Sequence, residues 1–536
     1  MAKRGCGCKW QRDLCYAGGM TLTRRSLFAA LGTLPLTRLA WGQAAHRLTV
    51  LHMNDFHSRH EPVDGRALAC GLAGHEAGQV GCFGGSARLA TAIKAQRAAA
   101  EADGRAVLLL DAGDQFQGSL FYTAHHGMAE LAVMHALGTD AMAVGNHEFD
   151  NGPGTLGRFA DAARFPVLSA NVDATAEPAL AGRLRPYAMF DRAGLRIAVV
   201  GLTTKEALLS SSPGPNVRIG DAKAALAATA AAARAAGADM VVALSHLGVA
   251  ADGGLDVPGV GVILGGHSHT LLSNVEPGAL GPHPVVSPSG ALVAQAGAYG
   301  RYLGRLDLDV AADGRVLAYG GECRHIGLDL AEDPAVAAVV AEYAAPLLEV
   351  RRRQVAVLPE ELGIASCRVS QCALGQMVAG ALLSATHGAD VALMNGGGLR
   401  TGLRAGPATL GDVLGALPFG NTLATVTLTG ADLWAAIEHG LGLVGRGGFP
   451  QLAGARLSWD ALRPVGDRIT QLEVRGPDGA WAAVDPGRHY LLATNNFIRG
   501  GGDGYAMLRD RGIDPYDAGP GVAELVAAAL AGGVQP

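Results

Sequence analysis

Short apolar segments alternate with helical segments from residue 46 to about residue 326 of this 536-residue chain. This alternation predicts a layered α/β domain. An alanine-rich stretch at residues 221–236 is the clearest of the predicted helices. The predicted strands are residues 48–52, 106–110, 141–144, 166–169, 197–201, 240–245 and 260–264. Because α/β proteins present reactive groups where their strands end, the residues that follow these strands are the first candidates for chemistry.

Five of these strand ends carry Asp, Asn or His. In chain order they read NDFH (54–57), DAGD (111–114), GNHEFD (145–150), SH (245–246) and GGHSH (265–269). One such histidine is usually structural, but five ends in succession indicate a shared site. Imidazole with carboxylate and amide oxygen suits divalent transition metals, and the lack of thiolate argues against a closed structural zinc site. A set this large fits two ions that share a carboxylate, clamp a phosphoryl group and activate water.

Residues 1–45 predict a signal for export through the twin-arginine (Tat) machinery. Arg24 and Arg25 precede a short apolar stretch and then small residues. A membrane anchor would need about 20 uninterrupted apolar residues, and Pro35 and Arg38 interrupt this stretch; Met20 is an alternative start. We therefore expect a periplasmic or secreted protein without a stable membrane anchor. A net charge of −5 and the lack of a basic tract give no indication of a nucleic-acid partner.

The length of the chain predicts two large domains after removal of the signal. Residues 332–354 look helical, with Pro346 as an interior kink, and end in three arginines (351–353) that we interpret as a solvated helix face. A second domain then begins, with a predicted helix at 374–386. The expected organisation is a signal (1–45), a metal-binding domain (46–330), a connecting helix or hinge (331–354) and a substrate domain (355–536).

Glycine-rich loops and cysteines mark the second domain and its surroundings. The loops read NGGGLR (395–400), PFGN (418–421) and FIRGGGDGY (497–505). Two Phe residues, each in a glycine-rich loop with Asn or Asp nearby, indicate a base held between aromatic rings, which is worth about 1–3 kcal/mol per base. An oxidising compartment would permit two disulfides, Cys70 with Cys82 and Cys367 with Cys372. Removal of the predicted signal takes Cys6, Cys8 and Cys15, and the remaining Cys323 is interpreted as a buried apolar residue.

The series NDFH, DAGDQFQGS, GNHEFDNG, SHLG and GGHSH resembles the calcineurin-like metallophosphoesterases, in the order and spacing of the 5'-nucleotidase/UDP-sugar hydrolase branch. The resemblance covers residues 48–508. It implies an N-terminal layered αββα metallophosphoesterase domain and a C-terminal mixed α/β nucleotide-binding domain, with two divalent ions (Zn, Mn or Co). It implies one ion on Asp55, His57, Asp114 and His269, and the other on Asp114, Asn146, His246 and His267.

The same resemblance gives His147 a catalytic role. His147 would donate a proton or hydrogen bond as negative charge develops on the phosphoryl group. Asp150, three residues later in the first turn of a helix, would fix the imidazole. The alternative is that His147 only orients a metal ligand.

In the second domain, the resemblance places Phe419 and Phe497 on either face of the base, with Asn421 in the first of these loops. The other implied contacts are Arg368, Asn395 and Arg400 near the base edge or the phosphates, and Asp503 on the ribose hydroxyls. A Cys367–Cys372 disulfide flanks the equivalent arginine in animal members, and the Cys70–Cys82 loop also looks like theirs. The family rotates one domain on the other, which implies a hinge before residue 355.

The implied function is a secreted two-metal hydrolase that removes the 5'-phosphate from nucleotides, with nucleoside diphosphates or UDP-sugars as further substrates. One alternative is a 2',3'-cyclic-nucleotide 2'-phosphodiesterase with 3'-nucleotidase action, which also holds a base. Another is the thiosulfohydrolase of sulfur oxidation, against which the paired Phe loops argue. A nucleotide receptor without catalysis would be expected to lose metal ligands.

Overall fold

The computed structural model describes residues 46–63, 70, 81–476, 479–517 and 519–532, which belong to one compact unit. The predicted export signal at residues 1–45 lies outside these residues. Within the described ranges, no helix is both long and apolar enough to cross a membrane. We call residues 46–325 the N-terminal part and residues 354–532 the C-terminal part.

The N-terminal part is built on two mixed sheets. Its strands are β1 (His46–Met53), β2 (Ala106–Asp111), β3 (Ala141–Ala143), β4 (Val167–Leu168), β5 (Val172–Asp173), β6 (Tyr187–Arg192), β7 (Leu195–Thr203), β8 (Arg218–Ile219), β9 (Met240–His246), β10 (Val260–Leu264), β11 (Val285–Val286), β12 (Leu292–Ala294), β13 (Tyr302–Val310) and β14 (Val316–His325). One sheet has the order β14-β13-β1-β2-β3-β4 and the other β11-β12-β10-β9-β7-β6, beside a small β5-β8 pair. β1 to β4 run parallel, as do β7, β9, β10 and β12.

The two sheets pack face to face, with alternate residues of each strand in a shared core. Leu48 and Val50 of β1 meet Val199 of β7 and Val242 of β9 in this core. The other residues of the same strands face helices on the outside of each sheet, as the period of two requires. Leu51 and Leu109 contact helices on one side, and Val200 and Val241 contact a helix on the other. The predicted αββα layering is confirmed.

The helices of the outer layers begin with α1, which continues from a glycine-rich turn. They are α1 (Ser86–Ala102), α2 (Leu120–His125), α3 (Met128–Leu137), α4 (Pro153–Ala162), α5 (Ala207–Ser210), α6 (Ala222–Ala235), α7 (Val249–Gly253) and α8 (Pro334–Ala344). α6 is the predicted alanine-rich helix, and Asp221 caps it by accepting the N–H of Ala224 at 2.8 Å. The seven predicted strands are β1, β2, β3, β4, β7, β9 and β10, whereas the β13–β14 hairpin was not predicted.

The predicted connecting helix is broken into pieces. α8 gives way to a 3-10 turn, Ala345–Leu347, and then to α9 (Leu348–Arg352). Pro346 lies in this turn, where its missing N–H and its ring interrupt α-helical hydrogen bonding. The interpretation of the three arginines as a solvated face is wrong for Arg351, which is buried. Its Nη1 lies 2.6 Å from Glu61 Oε1 and its guanidinium stacks on the Phe121 ring at 5.1 Å.

The C-terminal part is a mixed α/β layer around a five-stranded sheet of order β19-β16-β23-β18-β24. Its strands are β15 (Gln354–Leu358), β16 (Val391–Asn395), β17 (Gly406–Thr409), β18 (Leu423–Thr429), β19 (Pro450–Ala453), β20 (Ala455–Trp459), β21 (Ile469–Arg475), β22 (Trp481–Ala483), β23 (His489–Asn495) and β24 (Ile513–Tyr516). Its helices are α10 (Ala373–Ala385), α11 (Leu410–Ala416), α12 (Gly430–Leu441), α13 (Asn496–Arg499), α14 (Ala506–Asp510) and α15 (Val522–Ala531). α10 and α15 cover one face of the sheet and α12 the other.

Candidate active site

The predicted metal ligands meet at one end of the sandwich. Asp55 and His57 follow β1, Asp114 follows β2 and Asn146 follows β3, all on one sheet. On the other sheet His246 ends β9, and His267 and His269 follow β10. Ligand atoms within 4.8 Å of one another form three groups, which are Asp55, His57 and His269; Asp114, His246 and His267; and His57, Asp114 and His147. The first two groups each hold three of the four residues of one predicted set.

Backbone carbonyls fix the orientation of the buried imidazoles. His57 donates from Nδ1 to the carbonyl of Phe116 at 3.2 Å, and His246 donates from Nδ1 to that of Ala112 at 2.7 Å. Each ring therefore turns Nε2 into the site, where His246 Nε2 lies 3.1 Å from Asp114 Oδ2. A carbonyl on the far nitrogen is the usual support of a metal-binding histidine, because it sets the tautomer.

The atoms that face the centre of this cluster would favour a bound cation. The Nε2 of His246 is buried and has no hydrogen-bond partner with acceptable geometry in the described part of the chain. The Nε2 atoms of His57 and His269 lie 3.0 Å apart, and Asp55 Oδ1 is 3.2 Å from the latter. Burial alone would lower the pKa of His246, but the Asp114 carboxylate raises it to about 10. Imidazole nitrogens and carboxylates crowded in this way are the ligand types that divalent cations take.

The backbone of the ligand loops is left-handed at most of these residues. The φ angles are 50° at Asp55, 51° at His57, 58° at Asp114, 73° at His267 and 53° at His269. Few residues other than glycine adopt this region, and such conformations concentrate at functional sites. Each loop thereby turns its side chain back over the end of its strand.

Glu148, inside the GNHEFD stretch, anchors two of these loops. Its buried carboxylate accepts backbone N–H groups from Gly145 at 2.7 Å and from Asp114 at 3.0 Å. It also accepts those of Gln115 at 2.9 Å and Phe116 at 3.2 Å. Burial, with Asp114 close by, raises the pKa of Glu148 to about 7. Glu148 was given no role from the sequence, yet it holds the β2 and β3 loops together.

His147 lies beside the cluster and is held from two sides. Its backbone N–H donates to Asp114 Oδ1 at 2.9 Å, and its Nδ1 donates to Asp150 Oδ2 at 2.6 Å. Burial would lower the pKa of His147, but the Asp150 and Asp114 carboxylates outweigh it and raise the pKa. Asp150 is not in the first turn of an α-helix as predicted: it follows a 3-10 turn, His147–Phe149, and α4 begins at Pro153. The 3-10 turn still brings the two side chains together, and the Ser211 hydroxyl donates to the other Asp150 oxygen.

Loops of the C-terminal part reach this cluster. Arg400 is buried, and its Nη2 lies 3.5 Å from His57 Nε2. The Arg400 guanidinium lies 5.6 Å from the centroid of the Phe419 ring, and that ring lies 5.8 Å from the ring of His147. Two predicted substrate residues therefore contact the predicted metal and catalytic residues directly.

Three more of the predicted substrate residues, Arg368, Asn395 and Phe497, lie around a fourth, Asp503. Asn395 donates from Nδ2 to Asp503 Oδ2 at 2.8 Å, and burial raises the pKa of Asp503 to about 6. The charge of Arg368 also acts on Asp503. The Phe497 ring packs on the same loop so closely that a Cβ at Gly502 would lie 2.5 Å from it. Asn421 is placed apart from this group, at a loop end where its carbonyl accepts the Val522 N–H at 2.8 Å.

Both predicted cysteine pairs lie at bonding distance. The Cα atoms of Cys70 and Cys82 are 6.3 Å apart and those of Cys367 and Cys372 are 5.0 Å apart. Cys323 is a free thiol and fully buried, as predicted.

Comparison with known proteins identifies the family. The calcineurin-like phosphoesterase profile matches residues 48–271, and the profile of the 5'-nucleotidase C-terminal domain matches residues 353–510. The 5'-nucleotidase of Bos taurus is 33% identical over 523 residues, covering 91% of this chain and 89% of the bovine protein. The chain belongs to the 5'-nucleotidase family.

Two further relatives support the assignment of this chain to the 5'-nucleotidase family. The crystal structure of the 5'-nucleotidase precursor from Thermus thermophilus has a TM-score of 0.82 and 37% identity, covering 91% of this chain and 96% of that one. The trifunctional nucleotide phosphoesterase protein YfkN of Bacillus subtilis is 34% identical over 75% of this chain, which spans 30% of that relative's length. Membership makes the chain a metal-dependent phosphoric ester hydrolase.

Further residues of this family member support the site, and sequence reasoning missed them. Glu206 accepts a hydrogen bond from His267 Nε2 at 2.9 Å, which leaves His267 Nδ1 facing Asn146 Oδ1 at 3.0 Å. Asn54 donates to Asp55 Oδ2 at 2.7 Å and to the Gly297 carbonyl at 2.7 Å. Asn54 stood in the NDFH stretch, so its position was a usable signal. Glu206 lies in a loop without any such pattern.

Proposed function

We propose that this protein is a secreted two-metal hydrolase that removes the 5'-phosphate from nucleotides and yields nucleoside and phosphate. The observation that carries the proposal is the contact between the two halves of the site. Arg400 lies 3.5 Å from His57, and Phe419 packs beside His147. A group that recognises a nucleotide and a group that hydrolyses its phosphate are thus adjacent.

The proposed metal centre uses the two ligand sets that meet at the sheet ends. One ion is assigned to Asp55, His57, Asp114 and His269, and the other to Asp114, Asn146, His246 and His267. Zn, Mn and Co all suit imidazole with carboxylate. When bound, such ions polarise the phosphoryl oxygens and lower the pKa of water.

His147 is assigned the role of proton or hydrogen-bond donor to the phosphoryl group and leaving oxygen. Its Nδ1 is committed to Asp150 at 2.6 Å, so Nε2 is the nitrogen left for the substrate. The Asp150 carboxylate favours the imidazolium and fixes its orientation, as in other histidine-based sites. Because Asp114 also accepts the His147 N–H, the donor is positioned by a metal ligand.

The C-terminal loops are assigned to the nucleoside. Phe419 and Phe497 would hold the base, with Asn421 at the end of the Phe419 loop and Asp503 on the ribose. Asp503 suits hydroxyl groups because a carboxylate accepts two hydrogen bonds. The base edge or the phosphates are assigned to the cations of Arg368 and Arg400 and to the amide of Asn395.

We also assign residues 46–330 and 355–536 to separate domains joined by a hinge at 331–354. Export by the Tat machinery to the periplasm or beyond is supported by the twin arginines and is compatible with both cysteine pairs.

Phosphate release by the purified mature protein tests the proposal, with Mn²⁺, Zn²⁺ or Co²⁺ added. The substrates are AMP, 3'-AMP, 2',3'-cyclic AMP, UDP-glucose and p-nitrophenyl phosphate, and His147→Ala is the control. Fast AMP turnover that the control loses supports the assignment. Turnover of only the cyclic or 3' substrates would replace it with the phosphodiesterase, and inactivity on every nucleotide with metal bound would favour the sulfur-oxidation alternative.

A further inference from the structure

A cavity of about 70 Å³ lies where the N-terminal part, α9 and the C-terminal part meet. Arg59 and Glu61 line it from the N-terminal part and Arg351 from α9. The opposite wall is the segment from Thr401 to Gly415. We call this space the arginine cavity.

Two buried arginines of this cavity are incompletely bonded. Arg59 is 5% exposed and Arg351 is 7% exposed, and the Nε of each has no hydrogen-bond partner among the described residues. A buried guanidinium that lacks partners is costly, because its charge and its donors have both left water. The guanidinium carbon of Arg59 lies 5.6 Å from the centroid of the Tyr299 ring.

Charged side chains of both signs line the cavity. Three arginines, Arg59, Arg351 and Arg404, line it together with two carboxylates, Glu61 and Asp412. Asp412 already accepts the N–H and hydroxyl of Thr409 at 2.8 and 2.7 Å as a helix cap.

The size of the arginine cavity limits what it can hold. On a measure that gives one water about 10–15 Å³, a volume of about 70 Å³ has room for roughly five heavy atoms. A tetrahedral oxyanion has five heavy atoms, four of them acceptors. Arginine pairs well with such oxygens, since its planar fork presents several N–H donors.

The cavity is also connected to the candidate active site through residues that are neighbours in the chain. Arg59 follows His57 by two residues, and Thr401 follows Arg400. Arg400 in turn lies 3.5 Å from His57 Nε2, so two residues that line the cavity are close in the chain to residues of the candidate active site.

We propose that the arginine cavity is a binding site for a tetrahedral oxyanion, with orthophosphate as its physiological ligand. The anion bridges Arg59 and Arg351 and thereby ties the N-terminal part to α9 and the C-terminal wall. The identification of the ligand as product phosphate rests on the proposed hydrolase function, whereas the oxyanion site itself does not.

Equilibrium dialysis of the metal-loaded protein with radiolabelled orthophosphate tests the proposal. We expect two phosphates per chain, one at the metals and one in the cavity. An excess of a non-hydrolysable nucleoside methylenediphosphonate should displace the phosphate at the metals, so that only the phosphate in the cavity stays bound. Arg351→Gln should lower the affinity for that remaining phosphate at least tenfold, a factor that corresponds to about 1.4 kcal/mol. Radiolabelled sulfate bound there instead would also support an oxyanion site.

Two variants make the outcome decisive. Gly415 has open space around its Cα, with Thr401 Oγ1 the nearest atom at 3.9 Å from a built Cβ, so Gly415→Val should fill the cavity without touching an arginine. Arg352→Gln removes an exposed charge from the same helix and should leave binding unchanged. One phosphate or none in the wild type, or equal losses in Arg351→Gln and Arg352→Gln, would overturn the proposal. If the diphosphonate displaces nothing while Arg351→Gln still removes one phosphate, the nucleotide assignment fails and the cavity site stands.

Discussion

Replacement of Asp150 by Asn isolates the contribution of one buried charge to catalysis. The variant keeps the shape of the side chain but removes the carboxylate that lies 2.6 Å from His147 Nδ1. A hydrogen bond to a charged group contributes about 1.5–3 kcal/mol, so the imidazolium should become about 10- to 150-fold less favourable. The kcat for AMP should fall by the same factor, because the proposed donor is both less protonated and less well oriented.

The assay compares two leaving groups under the same conditions. A nucleoside leaves as a poor leaving group that needs a proton, whereas p-nitrophenolate leaves without one. Asp150→Asn should therefore slow AMP hydrolysis much more than hydrolysis of p-nitrophenyl phosphate. Asp161→Asn is a matched control, since this carboxylate pairs with Arg183 at 2.8 Å but is exposed.

Equal losses with both substrates would refute the reasoning. That result would mean that Asp150 supports the loop, through Ser211 and the 3-10 turn, and does not act through the proton on His147. An unchanged kcat would refute it equally.

Three further results are expected from the contacts of the site. Glu206→Gln should weaken metal binding at the His267 set about 10- to 100-fold, measured by competition with a chelator, and an unchanged affinity would contradict that contact. Glu148→Gln should leave two of four buried N–H groups unpaired and lower the free energy of unfolding by about 2–6 kcal/mol, measured by guanidinium denaturation against the exposed control Glu101→Gln. Phe419→Ala and Phe497→Ala should each raise KM for AMP, in line with stacking worth about 1–3 kcal/mol. Neither Phe change should alter KM for p-nitrophenyl phosphate, and a parallel rise would argue against base stacking.

The strands and the ligand loops could be predicted because their signals are local. Asp114 comes four residues after the apolar segment 106–110 and His246 directly after the segment 240–245, and both positions were visible in the sequence. Supporting contacts could not be predicted in this way, because they join distant residues. Glu206 meets His267 across 61 positions, and Arg351 meets Glu61 across 290.

Arg351 shows why composition misled. A run of three arginines at a helix end usually faces water, and Arg352 and Arg353 do so. Arg351 points inward because Phe121 and Glu61 provide a ring and a carboxylate at the place where the helix packs. Only the tertiary structure brings those partners together.

The ligands of the candidate metal centre are divided between the two sheets of the sandwich. One sheet carries Asp55, Asp114 and Asn146, and the other carries His246 and His267. The core residues packed between the sheets therefore set the distance between these two groups of ligands. The affinity for metal should therefore depend on the distance between the two sheets. Val50→Ala lies in the core of the sandwich and away from every ligand, yet it should change the affinity for metal.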